Sequence, residues 1–211
     1  MGKTKDGIFG PINGKVGNLV FYTSRGIDIV RSAGEKRRVQ PSELLKANNN
    51  NFAVLSRFLK KVKPFIKEGF RKETTGTVYS YHNMAASYNL KNAMRSTAGY
   101  SEILFDKLLL SRGNCLPAVS TQLHLAPTGL EFTWSATDLP YVASQDRIMM
   151  LAYFPSLEEC IMNTDGAKRM DGRDFLELQP SYSSQHMEVY IAFKSIDSDD
   201  VSISQYLGRI N

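Results

Sequence analysis

The feature that most limits what this chain can fold into is a change of grain near residue 112. Upstream, apolar residues recur at intervals of three and four: Leu44, Leu45, Leu55, Phe58, Leu59, Val62, Phe65, Ile66 and Phe70. That spacing places them on one face of a helix, with Lys60, Lys61, Lys63 and Lys67 on the other. Pro64 has no amide hydrogen to give, so the helix is expected to kink or restart there. A second helix is predicted over about 78–94, with Met84, Ala85, Tyr88 and Leu90 turned inward and Gly99 as its stop. Together they read as an αα-hairpin.

Downstream, short β-rich runs alternate with Pro, Gly, Asp and Ser turns. Strands are predicted at 118–125, 130–135, 147–154, 159–163, 174–178, 187–193 and 202–209. About seven short strands at this spacing predict an antiparallel β-sandwich. Before the helices, Gly and Pro punctuate two further β-rich runs, 16–22 and 27–31, which read as a hairpin turning near 24–26. Alternation there is imperfect: Leu19 and Phe21 lie against Val20 and Tyr22. The strands are therefore expected to be covered on both faces, by another subunit, since a lone hairpin is marginal in water. The fold class is α+β, with a β-hairpin arm and helices over 1–112 and a sandwich over 113–211.

Charge divides at the same place. The chain is +5 overall, but residues 1–112 hold 20 Lys+Arg against 8 Asp+Glu, a net +12, while residues 113–211 hold 6 against 13, a net −7. A basic half implies an anionic partner: nucleic acid, a membrane surface, or the acidic half of a neighbouring copy.

Several function classes fall away. The N-terminus, MGKTKDGIFGPINGKVGN, lacks the apolar stretch and cleavage site of a secretion signal, and no run is long enough to span a bilayer. A cytoplasmic or virion-associated protein without membrane insertion is expected. Cys115 and Cys160 are not in a C-x-x-C pair, and His82, His124 and His186 are far apart, so two reduced thiols and no metal site are expected. GPINGKVG fails as a phosphate loop: three residues separate Gly10 from Gly14 where four are needed, and Val16 follows Lys15 where Ser or Thr should. No G-x-S-x-G elbow is present, and Asp197, Asp199 and Asp200 lack EF-hand spacing. Catalytic and cofactor residues are therefore expected to be absent.

Two resemblances carry further expectations. LEFTWSATD and the later VYIAFKSIDSDDVSISQYLG resemble the early Trp-bearing strand and the late Tyr-bearing hairpin of fibronectin type III domains. The likeness implies a fibronectin type III or Ig-like sandwich with Trp134 as its central core aromatic. The antibody Cys, Trp, Cys pattern is not met, because Cys160 follows Trp134 too closely. The whole chain also resembles a family of uncharacterised Bacteroidota proteins, a domain-of-unknown-function family. Its marks here are GPINGKVGNLVFY, RGIDIVRS, FLKKVKPFIKEGF, AASYNLKNAM, LLLSRGNCLPA, DRIMMLAYFP and SQYLG. The resemblance implies an architecture and no activity.

Two functions fit these residues. One is a non-enzymatic structural or assembly protein, as in virion or filament subunits, associating with other copies through its N-terminal hairpin and helices; Val16, Leu19, Phe21, Tyr22, Ile27 and Ile29 are the candidate contacts. The other is a nucleic-acid-binding or adaptor protein using Lys36, Arg37, Arg38, Lys60, Lys61, Lys63 and Lys67. Tyr79, Tyr81 and Tyr88 near His82 could stack bases. A carbohydrate- or protein-binding sandwich would have only Tyr141 and Tyr182 as loop aromatics.

Overall fold

The computed structural model describes residues 3–4, 10, 12–24, 26–34, 40–97, 100–137 and 140–211. The expected stop at Gly99 lies outside them, as do Lys36, Arg37 and Arg38. The chain divides into two compact units, Met1–Ser42 and Glu43–Asn211. The compositional boundary at 112/113 is therefore not a packing boundary. Helices and sandwich share one core, and the N-terminal strands form the separate unit.

The first unit is a meander of four antiparallel strands, β1 Lys3–Thr4, β2 Ile12–Val16, β3 Leu19–Ser24 and β4 Ile27–Ser32, in that order across the sheet. The expected hairpin is β3–β4, with Ser24 opposite Ile27. The run read as 16–22 is instead broken after Val16, because Gly17 and Asn18 form a two-residue turn that pairs Val16 with Leu19. Gly17 and Gly26 hold φ of +57° and +77° in the two turns, where a Cβ would be strained.

In the second unit, α1 (Glu43–Lys61) and α2 (Lys63–Gly69) carry the apolar stripe, and the helix restarts at Pro64 in the first turn of α2. Leu44 departs from the stripe and is exposed, because the polar run 48–51 carries the start of α1 away from the core. There Asn50 donates to Ser101 Oγ and Asn51 accepts from Ser96 Oγ, both at 2.9 Å. These bonds hold the hairpin of β5 (Met94–Thr97) and β6 (Tyr100–Ile103), which sequence reasoning missed. After the short α3 (Arg71–Thr74), α4 (Tyr81–Asn92) starts on a Ser80 cap that accepts from the Asn83 amide. Ala85, Ala86 and Asn89 are its buried residues, Met84 and Leu90 are half-buried against the same core, and Tyr88, predicted inward, is exposed. The Asn89 side chain takes both backbone groups of Leu109, at 2.8 Å each, which an apolar residue could not do.

All seven sequence-predicted strands form. The strands β7 (Gln122–Ala126), β8 (Gly129–Thr133) and β11 (Arg173–Glu177) make a three-stranded sheet, order β11-β8-β7. The strands β9 (Arg147–Phe154), β10 (Glu159–Asn163), β12 (Met187–Lys194) and β13 (Gln205–Ile210) make a four-stranded one, order β10-β9-β12-β13. The first strand begins four residues later than predicted, because the Gln205 side chain occupies both the amide and the carbonyl of Ala118 at 3.0 Å.

The four-stranded sheet is covered on both sides. Ile148, Met150, Ala152, Phe154, Val189, Ile191 and Phe193 meet Leu130, Phe132, Trp134 and Leu176 of the three-stranded sheet. On the opposite face, Met149, Leu151, Tyr153, Tyr190 and Ala192 meet Leu55, Phe58, Leu59, Val62, Phe65 and Ile66 of the helices. Burying each large apolar side chain stabilises by about 1.5–3 kcal/mol, so neither layer is dispensable. Gly69 lets α2 approach the chain closely: a Cβ there would lie 2.3 Å from the Leu110 carbonyl oxygen.

One buried ion pair holds the sandwich end. Arg169, 2% exposed, pairs with Asp146 at 3.1 Å, donates to the Leu116 and Pro117 carbonyls, and lies 3.8 Å over the Phe193 ring. Its own carbonyl accepts from Trp134 Nε1 at 2.7 Å. Arg169→Ala leaves Asp146 buried without its cation and is expected to cost about 3–5 kcal/mol in urea unfolding of the full chain. Lys67→Ala, on the surface, should stay within about 0.5 kcal/mol. An Arg169→Ala loss as small as that of Lys67→Ala would show that the pair does not hold this end together.

Candidate functional site

The N-terminal sheet is unusual in what it lacks: none of its described residues is buried. Strand alternation and register sort its side chains into two faces. Val16, Leu19, Phe21 and Val30, with Ile12, share one; Val20, Tyr22, Ile27 and Ile29 share the other, with Lys15 and Arg31. The six sequence-predicted contacts are thus split three and three. Both faces are open: Val16 and Val30 are 51% and 54% exposed, Ile27 is 48%. Sequence reasoning missed Ile12, Val20 and Val30. Ile12 was hidden in a Gly/Pro-rich stretch read as turn, although INGKV spaces Ile12 and Val16 evenly about Gly14.

The lysine face is partly as expected. Lys60, Lys61, Lys63 and Lys67 are exposed along the end of α1 and α2, and form no ion pair with another described residue. His82 adds no charge to them at neutral pH, since burial and then the nearby Lys60 hold it below the ordinary histidine value. Of the tyrosines considered for base stacking, Tyr79 and Tyr88 are exposed and Tyr81 is half-buried against the helical core.

Part of the charge opposition between the halves is satisfied within the chain. Arg57 pairs with Glu158 at 3.3 Å and Arg71 with Asp199 at 3.1 Å, and Lys72 pairs with Asp200. Burial opposes the ionisation of Asp200, yet bonds from Lys72 and from the Asn114 and Val201 amides hold its carboxyl below the usual range. The acidic turn after β12 is a clamp on α3, and beside it lies a polar cleft lined by Glu68, Arg71, Arg147, Asp165, Lys194 and Asp197. Among the described residues no three His, Cys, Asp or Glu side chains gather as a metal set, and no helix is long and apolar enough to cross a membrane.

Both cysteines are free. Burial first, then Asp146 and Asp200, push the Cys115 thiol up to about 11, and burial also raises Cys160, whose Sγ lies 3.3 Å from the Lys61 carbonyl. Thiolate is the reactive form, so at pH 8 Cys115 should react with a disulfide reagent on the order of 100-fold more slowly than an ordinary free thiol. Mapping labelled peptides by mass spectrometry checks this, and rapid labelling at Cys115 would contradict it.

A family model described as a family of unknown function, DUF6266, matches residues 11–208. No curated protein and no solved structure matches the chain. With a match that takes in three of the four strands of the N-terminal meander, the helical layer and the three- and four-stranded sheets, the chain belongs to the DUF6266 family.

Proposed function

We propose that this is a non-enzymatic assembly protein whose copies associate through the N-terminal sheet and the helices, as the subunit of a virion or filament. The observation that carries the reading is the sheet itself: four strands with large apolar residues on both faces and no buried residue among those described. A sheet without a hydrophobic core is not independently stable, and exposed apolar patches mark interaction sites. Another copy is the partner that needs no further ligand.

The sandwich is, in this reading, of the fibronectin type III class. A three-stranded sheet of order β11-β8-β7 facing a four-stranded one of order β10-β9-β12-β13 supports it, as does Trp134 packed edge-on to Phe193 in the shared core. Such a module projects from an assembly as a spacer or contact surface.

A second reading, nucleic-acid binding, is favoured by one observation. Arg57, Arg71 and Lys72 are engaged by carboxylates of the same chain, whereas Lys60, Lys61, Lys63 and Lys67 are not.

Light scattering after size exclusion, on protein stripped of nucleic acid, is expected to show mass rising with concentration, and deletion of residues 1–33 is expected to abolish the rise. A full-length monomer indifferent to concentration contradicts self-association. For the second reading, neutralising Lys60, Lys61, Lys63 and Lys67 together should flatten the logarithmic salt dependence of DNA or RNA binding by roughly 3, since each phosphate that a lysine neutralises accounts for about 0.7–0.9 of the slope. Unchanged affinity removes that surface from consideration.

A further inference from the structure

The two faces of the N-terminal sheet differ in charge, and the difference selects a partner. On one, Lys15 and Arg31 flank Val20 in a single row across three strands. Packing that face against its own copy would bring four cations into one dry layer, with no acid among Val20, Tyr22, Ser24, Ile27 and Ile29 to offset them. Unpaired charge in such a layer is strongly unfavourable. The other face has no Lys or Arg among the described residues. Its rows run Val16, Leu19, Ser32 and then Gly14, Phe21, Val30, and its one charge among the described residues, Asp28, sits at the turn end and accepts from Thr23 Oγ1 at 2.7 Å.

We propose that the face of Ile12, Val16, Leu19, Phe21 and Val30 packs against the same face of a second copy, closing a twofold dimer. The proposal rests on the self-association reading above and fixes its geometry. An isologous contact uses the same patch on both subunits and is satisfied at two copies, so any longer array needs a second, different contact. The area sets the strength. Three paired strands of about five residues cover roughly 14 by 17 Å, on the order of 240 Å² of sheet plane. A stable interface takes about 800 Å² per partner. The dimer is therefore weak and concentration-dependent.

Leu19 and Ile27 lie on opposite faces and are exposed in the single chain, so a lysine at either position removes no packing within it. Sedimentation equilibrium of the full chain is expected to fit monomer and dimer. Leu19→Lys should weaken the dimer at least tenfold and Ile27→Lys less than twofold. The reverse order overturns the twofold contact while leaving self-association standing. A wild-type monomer at every concentration overturns both. As a check that does not depend on a disruptive charge, Val16→Cys should give a dimer-sized product with a short thiol crosslinker and Ile27→Cys should match the parent chain. The opposite pattern rejects the assigned face.

Discussion

The second unit depends on a sheet that is dry on both sides. Residues 148–154 and 187–193 are buried throughout, and their runs IMMLAYF and MEVYIAF carry almost no polar side chains to face water. An ordinary two-sheet sandwich leaves the outer face of each sheet to solvent. Here the outer face of the four-stranded sheet presents Met149, Leu151, Tyr153, Tyr190 and Ala192, and the helical layer is what covers it. Phe58 stands at 90° to Tyr153 with ring centroids 4.8 Å apart, and the Tyr190 hydroxyl donates to the Phe105 carbonyl at 2.7 Å. The helices are thus the third layer of one core.

A few polar side chains fix how the layers are joined. Asn89 ties the connector at Leu109 to α4, Ser204 receives the Leu110 amide, Ser111 donates to the Ser202 carbonyl, and Gln205 brackets Ala118. Each satisfies buried backbone that has no ladder partner, and leaving such groups unpaired would cost about 1–3 kcal/mol apiece. The connector from helices to sandwich is therefore a stitched segment. That is why a boundary drawn there from composition does not match the packing. The first unit has no equivalent device among its described residues, and its apolar residues stay exposed.

Much of the architecture was legible because local patterns were strong. The three-and-four spacing from Leu55 to Phe70 and the restart at Pro64 appear where the residues place them, and the seven strands all form, the first and last beginning four and three residues later than predicted. What the sequence could not convey was pairing at a distance. The outer face of residues 147–154 gives no hint of whether a helix covers it, and Tyr88 looks a better core residue than Asn89 until the Leu109 backbone is brought opposite. Arg71 and Lys72 add to the net positive charge of residues 1–112, yet Asp199 and Asp200 meet them across more than 120 residues of chain. For the candidate site, the apolar composition of 16–29 was visible, but its division into a cationic face and one without Lys or Arg among the described residues depends on the turn at Gly17 and Asn18, which sets the register.

If the helices and both sheets are one core, they must open together. Hydrogen exchange of the full chain, followed by mass spectrometry at dilute monomer concentration, tests this most directly. The account predicts that amides of residues 55–66, of 148–154 and of 187–193 exchange with a common opening free energy and the same denaturant dependence. Helical amides that exchange through a separate, lower-energy opening while both strands stay protected would contradict it.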